Sequence, residues 1–309
     1  MSKISVIIPV YNASAFIKEC MDSVNAQTMN DGVECILIED CGQDDSAQLI
    51  ENYIRQYNGS INFWLLRQDI NRGPSAARNR GIREANGDYV FFLDADDTIT
   101  PDCIELLYGL AKQYDADYVQ GRYVGQSGND IPCVIEERKE IKRLLLNHNI
   151  VQFTPHNRLV RRQMVIDNNL FFNEQIKVRE DFLWMTFVAK YVKRFASCDK
   201  PTYIRGYNED SLTNNINVER EIAGYRVLIE TMAANYDSYQ LGYQKELALE
   251  ALIMVLKAGY YHDETERKHL IDVVKSKNDC IENVLLALYL RTQNSKILHL
   301  LVRLYKIKD

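Results

Sequence analysis

The chain has 309 residues, of which 46% are hydrophobic and 26% charged, and its formal net charge is −6 at pH 7. This composition is ordinary for a globular protein, and an acidic chain lacks the basic surface that general nucleic-acid binding requires. The seven cysteines include no CxxC pair, which argues against a zinc site or a disulfide framework. No apolar run approaches the roughly 20 residues of a membrane span. Because the chain also shows no signal peptide, we expect it in the cytoplasm.

Apolar, strand-like runs alternate with helical segments through the first 121 residues. We predict strands over 4–10, 33–38, 61–66, 88–93 and 117–121. We predict helices over 14–27, 46–57, 75–85 and 101–114, with Ser14 as the cap of the first. This alternation predicts an α/β fold with a mostly parallel sheet and helices on both faces.

Polar residues follow the ends of four predicted strands. Tyr11 follows the first strand, Asp40 the second and Arg72 the third. Asp94 and Asp96 follow the fourth. Because ligands of parallel sheets bind beyond the carboxyl ends of the strands, we expect these side chains to line one site.

The fourth strand runs directly into three carboxylates, Asp94, Asp96 and Asp97. Like charges held this close repel each other unless a cation lies between them. Hard oxygen ligands suit Mg²⁺ or Mn²⁺, which usually bridges to substrate phosphates. The alternative is a solvated acidic turn at the start of a helix, but the buried strand before it favours a metal site.

The pattern loosens beyond residue 121. We predict a polar and basic segment over 155–163, helices over 137–147 and 182–191, and short strands over 195–197 and 202–206. No proline follows Pro201, and long amphipathic stretches run from residue 218 to residue 306, as in a helical bundle. We therefore expect two domains, residues 1–215 and an all-helical region over 216–309.

Four motifs follow one another in the first hundred residues, while P-loop, GxGxxG and HExxH patterns are absent from the chain. The motifs are VIIPVYN at 6–12, EDCGQDDS at 39–46, AARNRGI at 76–82 and LDADD at 93–97. Together they resemble family 2 glycosyltransferases, and the resemblance covers roughly residues 4–215. It implies the Rossmann-like GT-A fold, a nucleotide-sugar donor and inversion at the anomeric carbon. The second motif departs from the family's usual Asp-Asp-Gly-Ser, so only Asp40 is carried over from it.

The resemblance implies a nucleotide site at the strand ends. Tyr11 would stack on the base, and Asp40 would accept a hydrogen bond such as the one that the N3–H of uracil donates. Arg72 and Arg78 match phosphate oxygens in geometry, although Arg78 could equally be an exposed helical residue. The full set implied for the nucleotide is Pro9, Tyr11, Asp40, Arg72, Arg78 and Asp94. Asp96 would bind a divalent cation, Mn²⁺ or Mg²⁺.

An inverting transfer needs a carboxylate that takes the proton of the acceptor hydroxyl. Glu180 and Asp181 match the family's Glu-Asp pair, and Asp181 would be this base. The pair could also simply open a helix, where carboxylates are favourable. The resemblance further implies roles on the acceptor side or in a lid for His156, Asn157, Glu180, Arg205 and Ser211.

The leading functional hypothesis is transfer from a UDP-sugar to a glycan or lipid-linked acceptor in cell-surface polysaccharide synthesis. One alternative is a sugar-phosphate nucleotidyltransferase, whose Gly-rich signature residues 6–14 lack. Another is an inactive binding subunit, which the retained aspartates disfavour. The tail 291–309 carries five basic residues interleaved with leucines, which fits either peripheral membrane contact or packing on the helical region. The sequence leaves the oligomeric state open.

Overall fold

The computed structural model of the chain describes residues 2–126, 133–145, 154–176 and 180–208. All of these except Ile176 belong to one compact unit. Its strands are β1 Ile4–Val10, β2 Val33–Glu39, β3 Asn62–Arg67, β4 Tyr89–Phe92, β5 Thr98–Ile99, β6 Tyr118–Tyr123, β7 Val134–Ile135, β8 Arg158–Arg161 and β9 Phe195–Ile204. Its helices are α1 Ile17–Asn25, α2 Ser46–Gln56, α3 Pro74–Glu84, α4 Cys103–Gln113, α5 Arg138–Leu145, α6 Arg162–Asp167 and α7 Glu180–Tyr191.

The strands form one mixed sheet in the order β3-β2-β1-β4-β8-β6-β9-β5, with β7 paired to β9. β1 pairs in parallel with β2 and β4, β2 with β3, and β6 with β9. β8 lies antiparallel between β4 and β6. Among the described strands, parallel and antiparallel strand pairs are equal in number, but the parallel pairs are longer and contain most of the paired residues, which confirms the predicted α/β class.

The central strands are buried on both faces because helices cover both. Ile4, Val6 and Ile8 of β1 belong to a core that includes residues of α1 and α4. Ile7 points to the opposite face, where α3 crosses so closely that a Cβ on Gly81 would collide with the Ile7 side chain. The apolar, β-branched runs of the sequence are therefore explained by two-sided burial.

The five strands predicted in the first 121 residues are present, with ends shifted by at most two residues. The start of the first helix was predicted wrongly. α1 begins at Ile17 and has no side-chain cap, and the Ser14 amide donates to Asp44 Oδ2 at 2.7 Å. The neighbouring Ala13 amide donates to Ser46 Oγ at 2.8 Å, so the segment before α1 is fixed by the loop that precedes α2.

The second half of the sheet differs from the sequence prediction. β5, β7 and β8 were not predicted, and β9 is one strand where two were expected. Pro201 lacks the N–H of a ladder residue, but a register shift in the pairing of β6 with β9 accommodates it. The β8 segment, which reads as polar and basic, is buried at Arg158, Leu159 and Val160.

Several predictions concern residues outside the described ranges. They are the domain boundary at 215, the helical region 216–309, the tail 291–309 and Ser211. Within the described ranges, no helix has the length and apolar character that crossing a bilayer requires.

Candidate active site

Three of the predicted nucleotide residues, Tyr11, Asp40 and Asp94, lie just beyond the carboxyl ends of β1, β2 and β4. Tyr11, which follows β1, is 51% exposed, so its ring is available for stacking. Pro9 is half-buried within β1, opposite Ile38 of β2. The sheet order reverses direction between β2-β1 and β4, and crevices at such switch points are the usual ligand sites of α/β sheets.

Asp40 is 3% exposed and organises the loop between β3 and α3. Its Oδ1 accepts hydrogen bonds from Gln68 Nε2 at 2.6 Å and from the Arg72 amide at 2.8 Å. Its Oδ2 accepts one from the Gly73 amide at 2.6 Å. Asp40 therefore holds Arg72 at the mouth of the site, and its contact with a base stays a prediction.

Asp94 is the centre of a charged cluster beyond β4. Its Oδ1 accepts a hydrogen bond from Arg78 Nη2 at 3.1 Å, and its Oδ2 lies 3.0 Å from His156 Nδ1. Burial alone would raise the pKa of Asp94, but His156 and Arg78 outweigh it and hold the pKa well below its usual range. Asp94 is therefore ionised at neutral pH.

Asp97 has a different environment, although it is only three residues from Asp94. Its Oδ2 accepts a hydrogen bond from the Tyr203 hydroxyl at 2.6 Å, and its Oδ1 accepts one from the Gly206 amide at 2.7 Å. Burial raises the pKa of Asp97 despite the opposing effect of these hydrogen bonds. Asp97 thus fastens the segment after β9 to the acidic loop, residues 94–97.

Asp96 is the third carboxylate of the acidic loop. Its Oδ2 accepts a hydrogen bond from Asn208 Nδ2 at 2.9 Å. A Cβ on Gly206 would collide with the Asp96 carbonyl, so the chain after β9 passes against the acidic loop more closely than any other residue type allows.

One group of side chains could hold a metal ion among the residues that the structure describes. Its ligand atoms, from Asp94, Asp97 and His156, lie within 4.8 Å of one another. Carboxylates suit Mn²⁺ and Mg²⁺, whereas imidazole also suits Zn²⁺ and iron, so the residues fit a divalent cation without selecting one. Asp96 is adjacent but is not a member of this group, and its role as a metal ligand stays a prediction.

The Glu180–Asp181 pair forms the start of α7, which begins two residues before the predicted helix 182–191. Glu180 Oε1 lies 3.5 Å from Arg78 Nη1, and Asp181 Oδ1 accepts a hydrogen bond from the Phe182 amide at 2.7 Å. The helix is anchored by Trp184, whose ring stacks on Phe172 with the centroids 4.6 Å apart. The Arg78 guanidinium therefore links Glu180, the neighbour of the predicted base Asp181, to Asp94 of the acidic loop.

Arg72 and Arg78, both predicted as phosphate contacts, occupy different environments. The Arg72 side chain is 55% exposed and pairs with Glu174 Oε2 at 2.8 Å. The Arg78 side chain is 8% exposed, which excludes the alternative of an exposed helical residue. Either role in binding a diphosphate stays a prediction.

Aromatic rings surround the predicted acceptor-side residues. The His156 ring stacks on Tyr203 with the centroids 5.0 Å apart, and Tyr123 meets it edge-on. The Arg205 guanidinium lies 4.5 Å from the centre of the Tyr123 ring. Asn157 is fully buried in a left-handed conformation with φ of 59°, and its Oδ1 accepts a hydrogen bond from Thr202 Oγ1 at 2.8 Å.

Sequence reasoning missed two residues that shape this site, Tyr123 and Glu174. They carry no local signal, since their contacts depend on the tertiary fold. Asp97 and Tyr203 were noticed, the first in the acidic motif and the second in the stretch 203–205 that resembles a family segment over the donor phosphates, but their hydrogen bond to each other could not be foreseen.

The chain belongs to glycosyl transferase family 2, because residues 5–168 match the family of that description. The match includes all four sequence motifs and the segment around His156, and it ends before α7 begins at Glu180.

Two curated relatives and one solved structure are similar to the chain. The poly(ribitol-phosphate) beta-glucosyltransferase of Bacillus spizizenii is 30% identical over 204 residues, which cover 65% of this chain and 32% of the relative. The uncharacterized glycosyltransferase EpsJ of Bacillus subtilis is 31% identical over 221 residues, 68% of this chain and 62% of the relative. The chain thus spans less than two thirds of the length of these relatives. Staphylococcus aureus TarS 1–349 in complex with UDP-GlcNAc has a TM-score of 0.66 at 20% identity, with coverage of 99% of this chain and 92% of that one. This likeness confirms the GT-A fold.

Proposed function

We propose that the chain transfers a sugar, with inversion, from a UDP-sugar to a glycan or lipid-linked acceptor in cell-surface polysaccharide synthesis. The observation that carries this proposal is the charged link from Asp94 through Arg78 to Glu180, which joins the acidic loop to the residue beside Asp181. The names of the relatives, one a poly(ribitol-phosphate) glucosyltransferase, and the UDP-GlcNAc in the TarS complex support the acceptor and donor classes.

The donor would bind across the ends of β1, β2 and β4. The exposed ring of Tyr11 stacks on uracil and thereby directs the ribose toward Asp94. Stacking alone does not select uracil, because every base has a face on which a ring can stack. Asp40 Oδ2 accepts one hydrogen bond from the described chain, which leaves a lone pair for the N3–H of uracil. Arg72, held at the mouth of the site by Asp40, reaches the diphosphate.

A divalent cation, Mn²⁺ or Mg²⁺, would be held by Asp96 together with its neighbours in the acidic loop. When bound, the cation neutralises charge on the departing diphosphate. The chain's own contribution is to keep Asp94 ionised and to fix the Asp96 carboxylate through Asn208.

Asp181 would act as the base. It takes the proton of the acceptor hydroxyl as that oxygen attacks the anomeric carbon from the side opposite the diphosphate. Asp181 lies in the first turn of α7, where a carboxylate is favourable.

The test is a panel of UDP-glucose, UDP-N-acetylglucosamine and GDP-mannose, incubated with the full chain, a poly(ribitol-phosphate) acceptor of the kind named for one relative and either Mn²⁺ or EDTA. We expect UDP release from a UDP-sugar in Mn²⁺ only. Production of UDP-sugar from UTP and a sugar 1-phosphate would instead establish a nucleotidyltransferase. Tight UDP binding without turnover of any donor would establish a binding subunit.

We also propose a peripheral membrane contact through the basic tail 291–309. The five basic residues of the tail support it. Co-sedimentation of the full chain with phosphatidylglycerol vesicles, but not with phosphatidylcholine vesicles, is the expected result. Equal sedimentation with both would contradict an electrostatic contact.

A further inference from the structure

Arg78 lies between two carboxylates that belong to different parts of the fold. Its Nη2 donates to Asp94 Oδ1 at 3.1 Å, beyond the end of β4. Its Nη1 lies 3.5 Å from Oε1 of Glu180, the first residue of α7. One planar guanidinium thereby spans the acidic loop and the helix that carries Asp181.

The guanidinium of Arg78 is closed to ligands from most directions. Its Nε and Nη1 atoms are sealed from solvent, and neither makes a hydrogen bond within the described residues, so the contact of Nη1 with Glu180 is an ion pair without a hydrogen bond. The guanidinium also lies 5.5 Å from the centre of the Phe172 ring. A diphosphate could not reach those two nitrogens without displacing protein, whereas the side chain of Arg72 is 55% exposed.

The charge of Arg78 balances the carboxylates around it. Burial alone would lower the pKa of Arg78, but Asp94, Glu180 and Asp181 together raise it. Without this cation the carboxylates of Asp94, Glu180 and Asp181 would repel one another at the N-terminus of α7. Removing one partner of a buried ion pair leaves an uncompensated charge and is strongly destabilising locally.

The neighbouring residue of α3 provides a second attachment. Asn79 Nδ2 donates to the Phe172 carbonyl at 2.9 Å, and Asn79 Oδ1 accepts from the Phe172 amide at 2.8 Å. Phe172 stacks on Trp184 of α7. Two consecutive residues of α3 therefore hold α7. Arg78 contacts its first turn at Glu180, and Asn79 fixes Phe172, on which Trp184 of α7 stacks.

We propose that Arg78 is a positioning residue that ties the first turn of α7, and with it Asp181, to the acidic loop. The catalytic consequence rests on the proposed function, since it assumes that Asp181 is the base. The tie itself does not, because it is a property of the free protein.

The decisive comparison is Arg78→Lys against the control Arg72→Lys in the full chain. Lysine keeps the charge but cannot span two carboxylates. We expect Arg78→Lys to leave UDP affinity in Mn²⁺, measured by calorimetry, within about twofold of the wild type. Hydrogen exchange of peptides covering α7 should become faster by about tenfold, since the helix start is released. Arg72→Lys should show the opposite pattern, with weaker UDP binding and unchanged exchange in α7.

Turnover supplies a further readout. Arg78→Lys should lower kcat by about 100-fold with KM for the donor nearly unchanged, because small displacements of a catalytic group cost about that much. Glu180→Gln removes the charge that pairs with Arg78 at α7. Because both substitutions break the same contact, the double variant should lose little more kcat than Arg78→Lys alone.

A loss of UDP affinity in Arg78→Lys as large as in Arg72→Lys, with unchanged exchange in α7, would overturn the positioning role and make Arg78 a diphosphate contact. If Arg78→Lys does not fold, Glu180→Gln with the same exchange and UDP measurements decides the question. If the wild type turns over no donor, the proposed function fails, while the exchange and UDP measurements still test the tie.

Discussion

Asp94, Asp96 and Asp97 look alike in the sequence, but the fold gives each a different task. Asp94 is paired with Arg78 and His156, and its pKa is held low. Asp97 is bonded to Tyr203 and Gly206, and burial raises its pKa. The motif predicted that carboxylates gather here, but it could not separate these tasks. The partners of Asp97 and Asp96, which are Tyr203, Gly206 and Asn208, each lie more than 100 positions further along the chain.

The first prediction separates Asp96 from Asp97. Asp96→Asn should weaken UDP binding in Mn²⁺ by at least about tenfold, since cations of this kind bridge to substrate phosphates, and should leave the melting temperature unchanged. Asp97→Asn should lower the melting temperature, because the side-chain NH₂ group would face either the Tyr203 hydroxyl or the Gly206 amide, both of which donate to Asp97. The lost hydrogen bond should reduce the free energy of unfolding by about 1–3 kcal/mol. Calorimetry and thermal melting of both variants check this. Undiminished UDP affinity in Asp96→Asn would contradict its assignment to the metal.

The second prediction concerns Asp181. Asp181→Asn should slow transfer by about 10²–10⁴-fold, the usual contribution of a general base, with UDP affinity nearly intact. The amide oxygen can still accept from the Phe182 amide, so the melting temperature should hold. Transfer rate, UDP affinity and melting temperature are the three measurements. Near-normal turnover with a lowered melting temperature would mean that Asp181 only caps α7.

At the scale of elements, the long apolar strands were predictable and the short ones were not. β1 and β2 are buried on both faces, so their sequences are mostly apolar and the strands can be recognised from the sequence. β5 and β7 have two residues each, too few to show any period. β8 is flanked by arginines, and its place between β4 and β6 is fixed by pairing with both strands.

The third prediction tests how closely α3 packs on the sheet. Gly81→Ala should destabilise the protein by about 1–3 kcal/mol, the usual cost of overpacking, because the new methyl group would collide with Ile7 and lie 3.0 Å from Ile38 Cδ1. Gly109→Ala is the matched control, since a Cβ on Gly109 of α4 would have no described atom within 4 Å apart from the adjoining residues and backbone of its own helix. Alanine there should stabilise by about 0.5–1 kcal/mol. Denaturant unfolding measures both, and equal effects would contradict the close contact.

At the scale of the whole molecule, the site draws on residues from Tyr11 to Asn208. That Tyr11, Asp40 and Asp94 gather beyond the strand ends was predictable, since the carboxyl ends of neighbouring parallel strands meet at one edge of the sheet. What could not be predicted is how the chain returns to the site. β9 pairs with β6 and β5, and this pairing delivers Tyr203 and Gly206 to the acidic loop. Such a return depends on tertiary pairing and leaves no period in the local sequence.

The last prediction tests whether residues 1–215 act as a unit. The run from Asn214 to Asn217 is rich in asparagine, and such polar stretches are typical of linkers that proteases cut. Limited proteolysis of the full chain should therefore cleave first near these residues. The N-terminal fragment should keep binding UDP in Mn²⁺, because β9 is fastened to the acidic loop through Tyr203 and Asp97, which lie before the cut. Mass spectrometry locates the cleavage, and calorimetry measures the fragment. A chain that resists cleavage there and unfolds in one transition would mean that the boundary is wrong or that the two regions share a core.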